Sequence, residues 1–189
     1  MNSIHNVICS SGWWARRARE QLVPWGLEHA ELGDRVLELG PGFGAITRLL
    51  AARLGGLTVV ELDERYCRRL QAEHGDAVTV VQGDATELPL GDSSFSAVVC
   101  FTMLHHLASP GLQDRAFAEV ARVLRPGGVF AGTDSLGSGP LFRSIHVGDT
   151  LTLIDPDGLP ARLQAAELLE PRVERGGRSF RFRARRPPA

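Results

Sequence analysis

The sequence predicts an α/β fold: a twisted, mostly parallel seven-stranded sheet with helices on both faces and an antiparallel last strand. Five short apolar runs alternate with helical patterns, which is typical of parallel strands joined by crossover helices. Near the end of the chain, two strand-like segments flank Gly176 and Gly177 and predict a closing hairpin, which supplies the reversed strand. The five runs are Val36–Leu39, Leu57–Leu62, Val78–Val81, Phe95–Phe101 and Val129–Thr133.

The length of 189 residues suits a single domain with a sizeable core. We divide residues 1–189 into three parts. Residues 1–35 form an N-terminal helical segment, residues 36–133 form the ligand-binding core, and residues 134–189 contain an insert and the closing hairpin.

The N-terminal segment holds all the tryptophans. A pair of serines precedes a helix predicted from Trp13 to Leu22, and Pro24 interrupts it. Either the tryptophans fix this helix to the core, or the helix is a lid and its aromatic rings line a pocket. The three tryptophans are Trp13, Trp14 and Trp25.

A glycine-rich turn follows the first strand, in the stretch V-L-E-L-G-P-G-F-G-A-I-T from Val36 to Thr47. Gly40, Gly42 and Gly44 crowd into five positions, and a helical pattern resumes at Ala45. Glycine lets a ligand approach the backbone closely, and the following helix presents its N-terminus. The order of strand, glycine turn and helix predicts a ligand site at this point.

This stretch resembles the cofactor motif of class I S-adenosylmethionine (SAM) methyltransferases of the small-molecule, methyltransferase domain 11 type. That motif is an acidic residue, any residue, then G-x-G-x-G, and here the acid is Glu38. The resemblance implies a Rossmann-like fold, SAM as cofactor and S-adenosylhomocysteine (SAH) as product. It also implies that Glu38 accepts the methionine ammonium, beside the backbone of Gly40, Gly42 and Gly44.

The second strand ends in Glu61, which lies 21 residues after Gly40. In a strand–helix–strand unit, an acid at this position can accept hydrogen bonds from a ribose diol. An exposed carboxylate at a strand end is the alternative interpretation. The resemblance implies that the neighbouring Leu62, and Phe101 at the end of the fourth strand, also line the cofactor site.

After the third strand comes Gly83-Asp84-Ala85, which resembles the adenine site of the same family. There the Asp84 side chain takes the exocyclic amine, and the backbone N–H of Ala85 takes a ring nitrogen. A later stretch, R-V-L-R-P-G-G before the fifth strand, is also like this family.

Two adjacent histidines, His105 and His106, follow the fourth strand, where open α/β sheets bind ligands. Either is a candidate general base, but adjacent side chains cannot both face one site from a helix, so one is structural. Trp13, Trp14, Phe142 and His146 are candidate acceptor-binding residues, because the N-terminal segment and the insert are what remains to cover the methyl group.

The last strand alternates apolar residues with three arginines, Arg181, Arg183 and Arg185, which therefore share one face. A solvated face is one interpretation, and a patch that binds phosphate or an acidic substrate is the other.

Composition excludes several classes of protein. The 21 basic residues are all Arg, so lysine mechanisms are excluded. Three dispersed cysteines favour neither a disulfide framework nor a zinc site, and no metal is predicted. The chain shows neither a transmembrane run nor a signal peptide, so we expect a cytoplasmic protein.

The net charge of −1, the absence of the Asn/Asp-Pro-Pro-aromatic motif at Cys100–Met103, and the lack of an RNA-binding domain predict a small-molecule acceptor. They predict no nucleic-acid partner and no membrane partner. The oligomeric state stays open.

Two other functions fit parts of the sequence. An NAD(P)-binding Rossmann oxidoreductase also has a glycine turn and an acid about 20 residues later, but its pattern is G-x-G-x-x-G. A SAM-binding protein without catalysis would carry the same cofactor motifs, and only turnover separates it from an enzyme.

Overall fold

The computed structural model describes residues 3–137, 142 and 147–189. Its sheet has seven strands in the order β3-β2-β1-β4-β5-β7-β6. Strands β1 to β5 are parallel, and β7 runs antiparallel to both β5 and β6. The predicted fold class is confirmed. The strands are β1 Val36–Leu39, β2 Leu57–Glu61, β3 Val78–Gln82, β4 Phe95–Phe101, β5 Leu124–Ser135, β6 Leu169–Gly176 and β7 Ser179–Arg185.

Helices cover both faces of the sheet. Side-chain caps begin several of them: the Ser109 hydroxyl accepts the Leu112 N–H at 3.2 Å, and an Asp63 carboxylate oxygen accepts the Arg65 N–H at 2.9 Å. The described helices are α1 Ser3–Cys9, α2 Gly12–Arg17, α3 Val23–Gly26, α4 Ala45–Ala51, α5 Glu64–His74, α6 Pro110–Val123 and α7 Leu159–Ala165.

The core lies in two layers, one on each side of the sheet, because alternate residues of a strand point to opposite faces. In β1, Leu37 and Leu39 join the layer that contains Phe117 of α6, whereas Val36 joins the layer under α4 and α5. Glu38 alternates with Leu37 and Leu39, so its carboxylate lies on the same face as α4.

The N-terminal helix differs from the prediction. The Ser11 hydroxyl caps it at the Trp14 N–H, but Pro24 does not interrupt it. A π-helical turn, Ala18–Leu22, joins α2 to α3, and the Val23 N–H bonds to the Ala18 carbonyl. This wider turn relieves the clash that a proline ring makes with the preceding turn of a regular helix.

The arginine-bearing face of β7 holds this N-terminal segment and is not simply solvated. The Arg181 guanidinium donates to the Trp25 carbonyl at 3.0 Å and to Glu174 at 2.7 Å, lies over the Trp25 ring, and contacts Glu28. The Arg183 guanidinium donates to the His29 carbonyl. Trp25 thus fixes the segment to the sheet.

None of the helices in the described part of the chain is long and apolar enough to cross a lipid bilayer.

Candidate functional site

A cavity of about 510 Å³ lies at the carboxyl ends of the parallel strands, where the strand order reverses between β1 and β4. It brings together most of the residues that the sequence singled out. Of these residues, Glu38, Gly40, Gly42, Glu61, Leu62, Asp84, Ala85, Phe101, His105, His106, Trp13, Trp14 and Phe142 line the cavity. Gly44 begins α4 behind the lining, and His146 falls outside the described residues.

The glycine turn forms one wall of the cavity. A Cβ on Gly40 would meet Met103 Cγ at 2.3 Å, whereas a Cβ on Gly42 would meet nothing within 4 Å. Both residues have positive φ, 61° and 53°, which favours glycine. Gly40 therefore permits close packing of the turn on Met103, and Gly42 leaves open space that a ligand can fill.

Glu38 is buried at the bottom of this wall, with 2% of its surface exposed. Its Oε2 has no hydrogen-bond partner among the described residues. Burial raises the pKa of the Glu38 carboxyl to about 8, with Glu61 adding to the shift and Thr47 opposing it. A buried carboxylate oxygen without a donor is costly, so this site suits a ligand that brings an ammonium group.

Glu61 clamps the backbone of two loops. Its Oε2 accepts the Gly42 N–H at 3.0 Å, and its Oε1 accepts the Asp63 N–H at 3.0 Å. These bonds fix the carboxylate at the cavity wall and tie the glycine turn to the end of β2. Each oxygen keeps a second lone pair, which a ribose hydroxyl can use.

Asp84 is held by the turn that follows β3. Its Oδ1 accepts both the Thr86 N–H and the Thr86 hydroxyl at 2.8 Å, and none of the described residues bonds to Oδ2. The second oxygen is therefore available to an amine. Nearby, Leu62 lines the cavity although 66% of its surface is exposed, so an apolar side chain flanks this end of the site.

His105 and Asp134 form a buried pair at the end of β4 and β5. The distance from His105 Nδ1 to Asp134 Oδ1 is 2.5 Å, and Asp134 also accepts the backbone N–H groups of His105 and Ser135. The carboxylate fixes the proton on Nδ1, so Nε2 carries the lone pair. The centre of the His106 ring lies 4.2 Å from that of His105, and the centre of the Phe142 ring lies 5.8 Å from it in an edge-to-face arrangement.

The N-terminal helices contribute to the wall of the cavity. The Tyr66 hydroxyl donates to Asn6 Oδ1 at 2.9 Å and so ties α1 to α5, and the Tyr66 ring packs against Phe43 at 4.9 Å. Trp14 packs on the core, whereas Trp13 is 60% exposed.

Sequence reasoning missed Thr102 and Arg17 as lining residues. Thr102 has a φ of 52°, a strained conformation for a β-branched residue, and strain of this kind is concentrated at functional sites. No sequence signal marks it. Arg17 had a signal, because it lies three and four residues after the two tryptophans and so shares a helix face with them.

The fold places this cavity at the switch point of a parallel sheet, with the unpartnered oxygen of Glu38 at one end. The family model described as "Methyltransferase domain" matches residues 37–132, about half of the chain. The chain belongs to this methyltransferase domain family. The resemblance to class I SAM-dependent methyltransferases is confirmed, and with it SAM as the family's cofactor.

Individual relatives agree on the family and differ in what they methylate. Demethylmenaquinone methyltransferase of Symbiobacterium thermophilum is 31% identical over 151 residues, which are 76% of this chain and 57% of that protein. Ribosomal RNA small subunit methyltransferase A of Chromobacterium violaceum is 42% identical over 101 residues, 46% of this chain and 38% of that protein. The chain thus spans little more than half, or less, of these relatives.

A solved structure shows the same fold over the whole chain. A SAM-dependent methyltransferase from Thermotoga maritima matches with a TM-score of 0.75 and 19% identity, covering 96% of this chain and 97% of that one.

The prediction of a small-molecule acceptor excluded a nucleic-acid partner, and that exclusion is wrong. Relatives include ribosomal RNA methyltransferases from several bacteria, so a nucleic-acid acceptor is open. The net charge of −1 gave the wrong indication because it sums the charge over the whole surface. Binding of nucleic acid depends instead on where the arginines lie.

Proposed function

We propose that this chain is a SAM-dependent methyltransferase that binds SAM in the cavity at the switch point of the sheet. The observation that carries the proposal is the buried Glu38 oxygen without a partner, beside the open space over Gly42. An ammonium satisfies this oxygen, whereas the nicotinamide dinucleotides offer no ammonium at this position. In this assignment Glu38 takes the methionine end, Glu61 the ribose, and Asp84 with the Ala85 N–H the adenine.

When bound, SAM supplies an electrophilic methyl group, and its transfer to a nucleophile leaves SAH. The chain's own part is to position the acceptor, to exclude water and to remove a proton where the acceptor carries one. His105 is the general base in this proposal: Nε2 takes the proton of an acceptor hydroxyl or amine while Asp134 holds the proton on Nδ1. His106 packs beside His105 and is the structural member of the pair.

We further propose that residues 1–35 act as the cover of this site and that residues 134–189 supply its acceptor wall. The tie from Tyr66 to Asn6 and the position of Trp13 and Trp14 at the cavity support the first part. The contribution of Phe142 beside His105 supports the second.

Calorimetric titration with SAH tests the cofactor assignment. Gly42→Leu should abolish binding, because its side chain fills the open space over the turn. Asp84→Ala should weaken binding by about 1–3 kcal/mol, the usual cost of losing one partner of a buried hydrogen bond. Gly127→Leu is the matched control, since Gly127 also has positive φ (76°) and open space but lies outside the cavity lining.

Unchanged SAH affinity in both variants, or tight binding of NAD by the unmodified chain, would sink the assignment. Release of SAH from SAM in the presence of a methyl acceptor then separates an enzyme from a SAM-binding protein without catalysis.

A further inference from the structure

Within the described part of the chain, the Arg17 guanidinium in the cavity wall has no anionic partner. Its Nη2 lies 3.4 Å from the Ser179 hydroxyl oxygen, a long hydrogen bond, and its Cζ lies 5.8 Å from the centre of the Trp13 ring. Its Nε is buried and has no hydrogen-bond partner among the described residues. A buried guanidinium N–H without an acceptor is costly, and it points to a group that the chain alone does not supply.

Several other arginines of the chain pair with carboxylates. Arg48, Arg65 and Arg122, for example, each donate to a carboxylate within 3.0 Å. Arg178, which directly precedes Ser179, also lines the cavity, but it is exposed, whereas Arg17 is half-buried. Within the described part of the chain neither forms an ion pair. Among the described residues, no carboxylate therefore lies within ion-pair distance of either cavity arginine.

These arginines lie on the acceptor side of the cavity. Ser179 begins β7 and pairs with Ser135 at the end of β5. The sheet order puts β7 three strands from β1, about 14 Å at the usual strand spacing, and hence away from Glu38 and the glycine turn. The carboxylates Glu61, Asp63 and Asp84 lie on the far side, along β2 and β3. Asp149 also lines the cavity, close to Cys9.

We propose that Arg17 and Arg178 form a subsite for an anionic group of the methyl acceptor, a carboxylate or a phosphate. The planar guanidinium matches both groups, and the Ser135 and Ser179 hydroxyls lie beside it in the lining. Trp13, Trp14 and Phe101 give the neighbouring wall an apolar character, so the group next to the anion is apolar or aromatic. This inference rests on the proposed function, because it names the acceptor of the same site.

The test uses the full chain saturated with SAH, titrated with benzoate, phenyl phosphate and the neutral analogue benzamide. We expect the two anions to bind and benzamide to bind at least about tenfold more weakly. Arg17→Met should weaken both anions by about tenfold or more, and Arg17→Lys should restore part of the affinity. The matched control is Arg16→Met on the same helix, whose side chain is 70% exposed and pairs only with Glu20.

A further titration, with a single-stranded RNA hexamer, distinguishes a nucleic-acid acceptor from a small anionic acceptor. Competition of the hexamer with benzoate, lost in Arg17→Met, assigns the subsite to a nucleic-acid phosphate, whereas binding of the small anions alone assigns it to a small acceptor. Equal binding of benzamide and benzoate, or undiminished binding of the anions to a folded Arg17→Met variant, overturns the proposal.

One further result would overturn the assignment of Arg17 to the methyl acceptor. If Arg17→Met weakens SAH tenfold but leaves 5′-methylthioadenosine unchanged, the arginine serves the carboxylate of the cofactor and not that of the acceptor. Absence of SAH binding to the unmodified chain would instead refute the proposed function itself, so the two failures are distinct.

Discussion

At the scale of single residues, Glu38 connects cofactor binding to protonation. Its carboxyl has a pKa of about 8 because burial disfavours the charged form, so it is mostly protonated at neutral pH. An ammonium placed beside it favours the carboxylate. Binding therefore has to remove the proton that the buried, unpartnered group carries.

We predict that SAH binding at pH 7 releases about one proton, and that affinity rises about tenfold per pH unit from about pH 6 until it levels off near 8. The direction of this pH dependence follows from the raised pKa of Glu38. Below pH 8 the free protein holds a proton on Glu38, whereas the complex does not. Calorimetry in two buffers of different ionisation enthalpy measures the release directly. Equal heats in both buffers contradict the prediction, and Glu38→Gln should bind weakly with no release.

Asp134 determines which ring nitrogen of His105 carries the proton. In Asp134→Asn the amide N–H can donate to Nδ1, which moves the proton to Nε2 and removes the base. We expect turnover to fall about 10²–10⁴-fold for an acceptor that needs deprotonation, with SAH affinity unchanged. Ring ¹⁵N chemical shifts report the tautomer without any acceptor. A His105 that keeps its proton on Nδ1 in this variant refutes the role of Asp134.

Of the residues that the sequence predicted at this scale, the structure brings to the cavity the glycine turn, Glu38, Glu61 and Asp84. These residues lie at short, regular distances along consecutive strand–turn–helix units, so the sequence alone reveals their pattern. The partner of His105 is 29 positions away, and Arg17 meets Ser179 across 162 positions. Contacts of this kind depend on the order of the strands, which single residues do not reveal.

At the scale of elements, the N-terminal helical segment depends on the last strand for its position. Arg181 lies under Trp25 with only 16% of its side chain exposed, and it bonds to the Trp25 carbonyl and Glu174. Gly176 lets Trp25 pack closely, since a Cβ there would meet Trp25 Cζ2 at 2.6 Å. The N-terminal segment is therefore attached to the sheet through its last two strands.

We predict that Arg181→Met destabilises the chain by about 1–3 kcal/mol, through the lost hydrogen bond to the Trp25 carbonyl and the lost contact with the Trp25 ring. We expect the rate of amide hydrogen exchange to increase most in α2 and α3. Arg175→Met is the control, because Arg175 lies in the same hairpin but pairs only with exposed carboxylates, including Asp157. Equal effects of the two substitutions on exchange in α2 would contradict the attachment.

Hydrophobic periodicity predicted the strands and the helices that pack on them. Burial of alternate residues in a strand, or of one face of a helix, requires apolar residues at regular positions in the sequence. Phe95–Phe101 and Ser179–Arg185 match the prediction fully. Ends were less accurate: β5 runs from Leu124, five residues before its predicted start at Val129. The helix past Pro24 was missed because a π-helical turn, unlike a regular one, leaves no sequence pattern.

At the scale of the whole molecule, the cofactor half and the acceptor half have different origins in the chain. In the proposed assignment, the cofactor contacts come from residues 38–85 in order, whereas the acceptor half combines the N-terminal segment, the end of β5 and the start of β7. The first half is shared with relatives that methylate a quinone precursor or ribosomal RNA. A sequence can therefore predict the cofactor well while total charge and length predict the acceptor poorly.

The tie between Tyr66 and Asn6 has a practical consequence, because Tyr66 is the only tyrosine in the chain. A fluorinated tyrosine supplied during expression would label this one position without any substitution. Its single ¹⁹F resonance would then report directly on the contact between α1 and α5, in the free chain and with SAH bound.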